Sequence, residues 1–418
     1  MIVPVRSPIG PERKARGLKA IPGTVAYAAL RPALSHLKCG RLTFELPSGQ
    51  TMDQTAALPG PHGIVRLHRW RALRRLVLGG EVGFAEAYIA GDWSSPDLSA
   101  VIELVARNHA AFETVINGSK LARLLGRLRH RARANTREGS KRNILFHYDL
   151  GNAFYRQWLD QKMIYSSAIF PAATSTLEEA QQTKLDRILR LLQVSDGQSV
   201  LEIGCGWGAL AREMAEKEKA HVTGITLSPS QLEIAKDTVS ARGLDGQVDL
   251  QLRDYRDVEG RFDRIVSIEM IEAVGEEYLP SYFETIRRAL NEGGRAVVQA
   301  ITIAEDRFES YRRTPDFIQQ HIFPGGFLPS KTMMREQMAR AGLRLVSFET
   351  FGESYALTLR EWRRRFQEAW PRIAELGFDT KFRRLWEYYL SYCEGGFRAG
   401  AIDVGLYTLT PTSAAPKA

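Results

Sequence analysis

The feature that most constrains the fold is an apolar run at residues 199–203 that breaks directly into a glycine-rich stretch, 204–208, with glycine at every second position. A helical pattern follows over 209–217. Glycine adopts positive φ readily and lets a ligand lie against bare backbone. The stretch therefore predicts a strand, a tight turn and a helix. A glycine-rich turn is by itself a weak signal for a ligand, because ordinary strand-to-helix turns use glycine too.

Alternating strand and helix patterns surround this turn. They predict helices over 177–192, 209–217, 229–241 and 279–290, and strands over 200–203, 221–226, 248–252, 263–268 and 295–301. Strands separated by helices of about 10–15 residues form a parallel sheet covered on both faces. Ligands of such sheets bind past the carboxyl ends of the strands, near the point where the strand order reverses. The sequence thus predicts an α/β fold with its site at this edge.

The rest of the chain predicts a smaller unit and two basic segments. Strands are expected over 41–46 and 63–67, and helices over 69–78 and 97–108, which together make a small α+β domain. We expect the following organisation: a flexible arm, 1–25; an N-terminal domain, 26–118; a basic linker or amphipathic helix, 119–142; a catalytic domain, 143–410; and a tail, 411–418.

The charge balance indicates an anionic partner. The formal net charge is +9, and nine basic residues with a single acid lie between residues 120 and 142. Aromatic side chains for stacking bases are absent from this segment, so the charge favours an anionic phospholipid surface over nucleic acid. A solvated linker is the alternative. Because the three cysteines are few and scattered, and no secretory signal or long apolar run occurs, we expect a cytoplasmic enzyme, peripheral at the inner membrane face and without a metal site.

The glycine-rich stretch differs from a dinucleotide fingerprint. The third glycine comes one residue early, at Gly208, and the second strand ends without an acid at 224–228. S-adenosylmethionine carries no phosphate and needs only close backbone approach and a few polar groups. We predict that its amino end, ribose and adenine meet the side chains at the strand ends: Glu202, Thr226, Gln231 and Tyr255, with Asp254 beside it.

Several longer motifs make the chain recognisable. They occur in order at residues 147–152, 154–155, 163–168, 201–208, 224–231, 269–275, 322–326, 328–330, 389–393 and 397–398. Together they closely resemble the family of cyclopropane-fatty-acyl-phospholipid synthases and mycolic-acid cyclopropane synthases, over about residues 145–408. Residues 25–110 resemble, more weakly, the additional N-terminal domain of the bacterial enzymes, which is associated with lipid and dimer contacts. A homodimer is therefore an option that the sequence leaves open.

The resemblance implies a class I methyltransferase fold, Rossmann-like, with a mostly parallel seven-stranded sheet and a helical cap. It implies S-adenosylmethionine as co-substrate and the cis double bond of an unsaturated membrane phospholipid as acceptor. By similarity, the cofactor site comprises Tyr165, Ser166, Glu202, Gly204, Cys205, Gly206, Trp207, Gly208, Thr226, Leu227, Ser228, Gln231, Tyr255 and Arg256.

The chemistry requires a dry slot, electron-rich faces for a carbocation and a base that removes a proton from the new methyl group. Tyr165 and Tyr355 are candidates for the faces, and the alternation around Tyr355 predicts a strand. In the family the base is taken to be bound bicarbonate. Its holders correspond here to Glu272, Ile301 and Tyr355, which match, and to Ser167 and Gln299, which replace the usual cysteine and histidine.

Bicarbonate thus stays open, and so does the product: a cyclopropane, or a methyl-branched or methylated unsaturated chain. Cys393 fits a position that family descriptions assign to an active-site cysteine, although methylation of an alkene needs no thiol. The further alternatives are a nucleic-acid methyltransferase, for which no base-holding motif is present, and a non-catalytic lipid-binding module.

Overall fold

The computed structural model describes residues 34–116 and 150–412. The strands are β1 Cys39–Glu45, β2 Thr51–Thr55, β3 Leu58–Leu67, β4 Trp93–Ser94, β5 Ser199–Ile203, β6 His221–Thr226, β7 Val248–Leu252, β8 Phe262–Ile268, β9 Leu290–Ile303, β10 Leu343–Thr350 and β11 Ile402–Pro411. The helices are α1 Arg71–Ile89, α2 Leu98–Arg107, α3 His109–Ile116, α4 Asn152–Tyr155, α5 Leu177–Leu192, α6 Ala209–Glu218, α7 Pro229–Ser240, α8 Leu279–Ala289, α9 Glu305–Arg313, α10 Phe317–His321, α11 Lys331–Arg340, α12 Gly352–Glu375 and α13 Thr380–Arg398.

By their internal contacts the described residues divide into two compact units, which differ from the predicted domain boundaries. The first unit contains 34–116, 309–324 and 359–401, and the second contains 150–308, 325–358 and 402–412. Two segments predicted within the 143–410 domain therefore pack with the N-terminal residues. The predicted arm, the basic segment 119–142, the motif residues His147 and Tyr148, and the tail beyond residue 412 lie outside the described residues.

The first unit combines a four-stranded sheet, in the order β2-β1-β3-β4, with helices from distant parts of the chain. Its core includes a buried carboxylate, Glu394 on α13, which accepts a hydrogen bond from Ser99 on α2 at 2.7 Å. Arg363 also donates to Glu394, at 3.0 Å. A buried charge is tolerated only when it is paired and hydrogen-bonded, so this cluster fixes α13 against α2. The physical reason for the shifted boundary is this apolar and ionic docking of α13.

The second unit confirms the predicted α/β class. Its seven-stranded sheet has the order β10-β11-β9-β8-β5-β6-β7, in which β11 runs antiparallel to its neighbours β10 and β9 and the other six strands run in one direction. Buried side chains of α5, α6 and α7 cover the sheet. A capping box starts α5, where Thr176 and Glu179 bond each other's backbone N–H groups at 3.2 and 2.8 Å.

The strand order places the site. The chain runs outward from β5 through β6 and β7 and then returns to β8 and β9 on the other side, so the order reverses between β5 and β8. The carboxyl ends of these two neighbouring strands lead into the glycine-rich turn and into residues 269–275. Ligands of open α/β sheets bind at such a reversal.

One predicted element is wrong. Tyr355 lies near the start of α12 and not on a strand, because β10 ends at Thr350 and the backbone turns helical from Gly352. The N–H of Tyr355 donates to the carbonyl of Phe351 at 3.3 Å, as in the first turn of a helix. The alternation before residue 351 belongs to β10.

Candidate active site

The glycine-rich turn has the conformation that its sequence predicts. Gly204, Gly206 and Gly208 have φ values of +85°, +54° and +76°, which L-residues with side chains adopt at a cost. The N–H groups of Gly204 and Cys205 both donate to the carbonyl of Ile225, at 2.9 and 3.0 Å, and so fasten the turn to β6. A Cβ atom at Gly206 would meet nothing within 4 Å. The backbone is therefore bare on the side where a ligand approaches.

Gly206→Val is expected to weaken the binding of S-adenosylmethionine about 10- to 100-fold, because the new side chain fills space that a ligand uses. Gly243→Val is the matched control: Gly243 also has positive φ, +67°, and open space around it, but it lies in the loop after α7. Calorimetry should find weak binding only in the first variant, while both lose thermal stability from backbone strain. Equal affinity in the two variants would contradict the role of the turn.

The polar residues predicted for the ribose lie together at the end of β6. Ser228 caps α7 by accepting the N–H of Gln231 at 3.3 Å, and the Thr226 hydroxyl donates to Oε1 of Gln231 at 3.2 Å. All three are buried, whereas Leu227 between them is partly exposed. On β5, buried Glu202 has an oxygen, Oε2, without a hydrogen-bond partner among the described residues. Burial raises the pKa of Glu202 to about 8, against the opposing charge of Arg212.

The residues predicted for the adenine follow β7. Tyr255 is buried in a short 3-10 helix, and the Arg256 guanidinium lies 5.5 Å from its ring centre and 5.8 Å from that of Tyr278. Arg256 is held in place by Asp254 at 2.6 Å. This arrangement leaves a planar cation between two aromatic rings.

An aromatic cluster lies on the other side of the turn. The ring of Tyr165 is 5.4 Å from that of Tyr155 and 5.5 Å from that of Trp158, and Trp207 lies 5.4 Å from Tyr155. Trp207 Nε1 donates to Asn152 at 2.8 Å, which fixes the indole. Among these four aromatic residues, Tyr155, Trp158 and Trp207 are buried and Tyr165 is partly exposed.

The centre of the site is a carboxylate that the sequence reasoning passed over, Glu269. It directly follows β8 and accepts three hydrogen bonds: from the backbone N–H of Ser167 at 2.8 Å, from Gln299 Nε2 at 2.6 Å and from the Tyr355 hydroxyl at 2.6 Å. Burial raises the pKa of Glu269, and these donors and the nearby charge of Lys184 oppose that rise. Hydrogen bonds to an ionised carboxylate favour its charged form. The pKa of Glu269 is raised overall, and the three donors and Lys184 limit that rise in favour of the charged form.

The backbone at Glu269 is strained. Its φ is +49°, in the left-handed region that costs a residue with a side chain about 1–2 kcal/mol. Its N–H donates to the carbonyl of Gln299 at 2.9 Å, which holds the strained conformation in place. Strain of this kind is retained where the surroundings over-determine it, and it clusters at active sites.

Glu272, three residues later, has a different environment. It accepts one hydrogen bond, from the N–H of Ile301 at 2.6 Å, and its other oxygen has no partner among the described residues. Burial and the neighbouring charge of Glu269 raise the pKa of Glu272 to about 8. At neutral pH Glu272 thus keeps its proton. The pKa values of both glutamates are raised, but Glu269 has three donors and a nearby lysine that favour its charged form, whereas Glu272 has the charge of Glu269 against it.

Glu272 should make the stability of the ligand-free protein fall as the pH rises. Because its pKa moves from the usual 4.5 to about 8, the folded chain holds a proton between these pH values that the unfolded chain releases. In Glu272→Gln, the loss of unfolding free energy between pH 5 and pH 8 is expected to be about 1–2 kcal/mol smaller than in the wild type. Urea denaturation at both pH values measures it, with exposed Glu277→Gln as control. An unchanged pH dependence would contradict the protonated state.

Comparison with known proteins shows which family the chain belongs to. The sequence profile of the family described as "Mycolic acid cyclopropane synthetase" matches residues 135–406, more than half of the chain. The chain belongs to this family.

Relatives of the family match over most of the chain. The tuberculostearic acid methyltransferase UfaA1 of Mycobacterium tuberculosis is 39% identical over 94% of this chain and 92% of its own length. The cyclopropane-fatty-acyl-phospholipid synthase of Escherichia coli K12 is 35% identical over 79% of this chain and 83% of its own. The structure of the mycolic acid cyclopropane synthase CmaA1, complexed with SAH and CTAB, is similar with a TM-score of 0.60 and 31% identity, and covers 64% of this chain and 97% of that one.

The chain is accordingly an S-adenosylmethionine-dependent methyltransferase of the cyclopropane synthase family, with the class I methyltransferase fold. The residues present fit the co-substrate. The open backbone at Gly206 and the unpartnered, buried oxygen of Glu202 are the features that a ligand with a cationic end would complete.

Bicarbonate does not fit in the same way. Of the five side chains or backbone groups that the resemblance assigns to it, Ser167, Gln299 and Tyr355 donate to the Glu269 carboxylate, and Ile301 donates to Glu272. The donor of Ser167 is its backbone N–H, while its hydroxyl donates to the carbonyl of Ala168 at 2.9 Å. This explains why serine can stand in the place of cysteine. The side chains and N–H groups that would bind bicarbonate bind instead to carboxyl groups of the chain itself, mainly that of Glu269.

Cys393 belongs to a different unit from the other predicted site residues. It is on α13 in the first unit, whereas the other predicted site residues belong to the second unit. Its thiol is partly exposed. The role proposed for it from the sequence stays a prediction.

The sequence contains a signal that could have found Glu269. Its motif has glutamates at 269 and 272, and two of the expected anion holders are replaced, at Ser167 and Gln299. An additional carboxylate next to altered anion donors indicates that the chain supplies the anion itself.

Among residues 34–116 and 150–412, no group of three or more His, Cys, Asp and Glu side chains is arranged to hold a metal ion.

Proposed function

We propose that the enzyme transfers a methylene group to the cis double bond of an unsaturated phospholipid acyl chain and closes a cyclopropane, with Glu269 as the base. The observation that supports this most is the Glu269 carboxylate held by three donors at the carboxyl end of β8. A carboxylate fixed in this way is pre-oriented, and its donors favour the ionised form that a general base needs.

S-adenosylmethionine supplies an electrophilic methyl group at its sulfonium centre. The π electrons of the acyl chain form the new carbon–carbon bond while the methyl–sulfur bond breaks and S-adenosylhomocysteine leaves with that electron pair. A carbocation remains on the neighbouring carbon. The rings of Tyr165 and Tyr355 lie where they can stabilise this cation. Glu269 then takes a proton from the new methyl group, and the electron pair of that C–H bond closes the ring. The net change is addition of one CH2 and release of one proton.

The remaining residues hold the methyl donor and exclude water. We propose that Glu202 pairs with the amino end of the donor, that Thr226 and Gln231 meet its ribose, and that Tyr255 and Arg256 flank its adenine. The other proposed contacts of the donor come from the turn and the loops beside it: Tyr165, Ser166, Gly204, Cys205, Gly206, Trp207, Gly208, Leu227 and Ser228. The 3-10 turn that carries protonated Glu272 lies beside the base, where a second negative charge would raise the pKa of Glu269.

A second product is favoured by one comparison. The relative that matches 94% of this chain is named a tuberculostearic acid methyltransferase. If the carbocation loses a proton from a chain carbon instead of from the new methyl group, the product is a methylated, unsaturated chain of the same mass as the cyclopropane. A saturated methyl branch needs a hydride in addition, for which a reducing partner is required. A fixed base supports the two products that form by loss of a proton.

The products can be told apart directly. Vesicles of cis-unsaturated phospholipid are incubated with the enzyme and S-adenosylmethionine labelled in its methyl group, and the acyl chains are released and analysed. We expect a mass gain of one CH2 and the high-field NMR signals of cyclopropane protons. Vinyl signals from a methylated alkene, in place of the cyclopropane signals, would identify the second product. Absence of label in the lipid would contradict both products.

We further propose that the enzyme acts as a peripheral protein at an anionic membrane surface on the cytoplasmic side. The net charge of +9 and the basic segment 119–142 support this. No helix in the described part of the chain has the length and apolar character needed to cross a membrane.

Alanine at Arg127, Arg129, Arg131 and Arg133 is expected to reduce sedimentation with anionic liposomes at low salt. Unchanged sedimentation would contradict the membrane role of this segment. A homodimer stays a prediction from the sequence.

A further inference from the structure

A buried lysine that the reaction above does not use, Lys184, lies behind the candidate base. It sits on the inner face of α5 and is only 1% exposed. Its Nζ donates to the Ser166 hydroxyl at 2.6 Å. One turn earlier on the same face, Gln181 Nε2 donates to the Ser166 carbonyl at 2.9 Å. Two side chains of one helix thus hold residue 166 by its hydroxyl and by its backbone.

This hold matters because of the next residue. Ser167 presents its backbone N–H to Glu269 at 2.8 Å, and the orientation of that N–H depends on the position of Ser166. The preceding residues are fixed as well, since the Asp160 carboxylate accepts the N–H groups of Ile164 at 2.7 Å and Lys162 at 3.0 Å. Lys184 is therefore connected to the base through two hydrogen bonds, its own to Ser166 and the one from the Ser167 N–H to Glu269.

The charges around Lys184 give it a second connection to the base. Three carboxylates face it from three elements: Asp160 before the 163–168 loop, Glu202 on β5 and Glu269 after β8. Arg212 faces Glu202 from α6, and Glu272 faces Glu269. Burying a charge is costly unless opposite charge lies nearby. Burial lowers the pKa of Lys184 to about 8, and these three acidic groups limit that fall.

We propose that Lys184 is a positioning residue that holds the 165–167 segment against Glu269 and, through its positive charge, keeps the Glu269 carboxylate ionised. The inference rests on the proposed function, since it assigns the ionised Glu269 a role in proton removal. Lys184 acts through Ser166 and through the electrostatic potential at Glu269.

The test compares Lys184→Met, which keeps length and removes charge, with Lys184→Arg, which keeps charge. Turnover is measured from pH 5.5 to 9 with methyl-labelled S-adenosylmethionine and cis-unsaturated phospholipid vesicles. In Lys184→Met we expect turnover at pH 7 to fall about 10- to 100-fold, and the acid limb of the pH profile to move up by about one pH unit or more. Lys184→Arg is expected to return the limb towards the wild-type pH. Lys217→Met, at an exposed ion pair, is the control.

A merely structural role gives a different result. Reduced turnover or a lower melting temperature with the acid limb at its wild-type pH would overturn the proposal, and so would unchanged turnover. Ser166→Ala provides a second variant should Lys184→Met fail to fold. It removes the acceptor of the Lys184 hydrogen bond, and we expect a smaller upward shift of the limb, whereas a wild-type profile would overturn the positioning role.

Infrared difference spectroscopy keeps this test separate from the proposed function. The carbonyl band of protonated Glu269 is identified by its absence in Glu269→Gln, and its titration is followed without substrate. We expect the band to appear at higher pH in Lys184→Met than in the wild type. The same titration in both proteins would overturn the inference. If the wild type transfers no methyl group to the vesicles, the proposed function fails, while the infrared result still decides the role of Lys184.

Discussion

Glu269→Gln is expected to lower turnover about a thousandfold, whereas Glu272→Gln lowers it about tenfold or less. Glutamine cannot take a proton, so the first substitution removes the base while the donors Ser167, Gln299 and Tyr355 stay in place. At Glu272, glutamine copies the protonated acid and still accepts the N–H of Ile301. Methyl transfer to cis-unsaturated vesicles at pH 7 measures both effects.

The pair is its own control, because the same substitution is made three residues apart in one turn. Binding of S-adenosylmethionine, measured by calorimetry, should change little in either variant, so that the difference in turnover reports on the chemistry. Equal losses in the two variants, or a larger loss in Glu272→Gln, would return the role of base or base holder to Glu272, as the sequence motif alone predicts.

Glu269→Gly is expected to lose turnover to a similar extent in buffer free of carbon dioxide and to regain at least about tenfold when bicarbonate is added. The substitution removes the carboxylate and leaves its donors facing the space where it was. Glycine adopts positive φ without strain, so the backbone at φ +49° need not move. The fold should therefore survive, and a small carboxylate-like anion can take the place of the side chain.

Wild-type enzyme and Glu269→Gln serve as controls for this rescue. Neither should respond to bicarbonate, because the wild type already holds a carboxylate and glutamine fills the space without charge. Chloride at the same ionic strength accounts for salt effects on vesicle binding. A variant that binds S-adenosylmethionine normally but gains nothing from bicarbonate would show that these donors do not form an anion site.

The sequence predicted the sheet and several residues that the structure brings together around Glu269. Its strand and helix periods located β5 to β9 to within a few residues, except for the longer β9, and the glycines of 204–208 adopt the expected conformation. Ser167, Gln299 and Tyr355 do meet in space, as the resemblance implies. These features depend on local pattern or on short motifs, which a single sequence retains.

The replaced anion holders point to a second carboxylate, but the local pattern alone does not show which of the two glutamates accepts their hydrogen bonds. The choice between Glu269 and Glu272 depends on the backbone path after β8, where a positive φ at a residue other than glycine directs the side chain towards Gln299. Local propensity gives no warning of such a conformation. Tyr355 was assigned to the wrong element for a related reason, since the change from strand to helix falls at Gly352.

The first unit is built from segments that are far apart in the sequence, and this affects how the chain folds during synthesis. Ser99 and Glu394, hydrogen-bonded in its core, are 295 positions apart in the sequence. A nascent chain must therefore be synthesised to beyond residue 394 before this unit can close, and until then the apolar face of α2 is uncovered. Folds that depend on such distant contacts form slowly and expose aggregation-prone surface. If the N-terminal residues were expressed alone, the unit would lack α13. During synthesis of the full chain, the same uncovered surface creates a demand for chaperones.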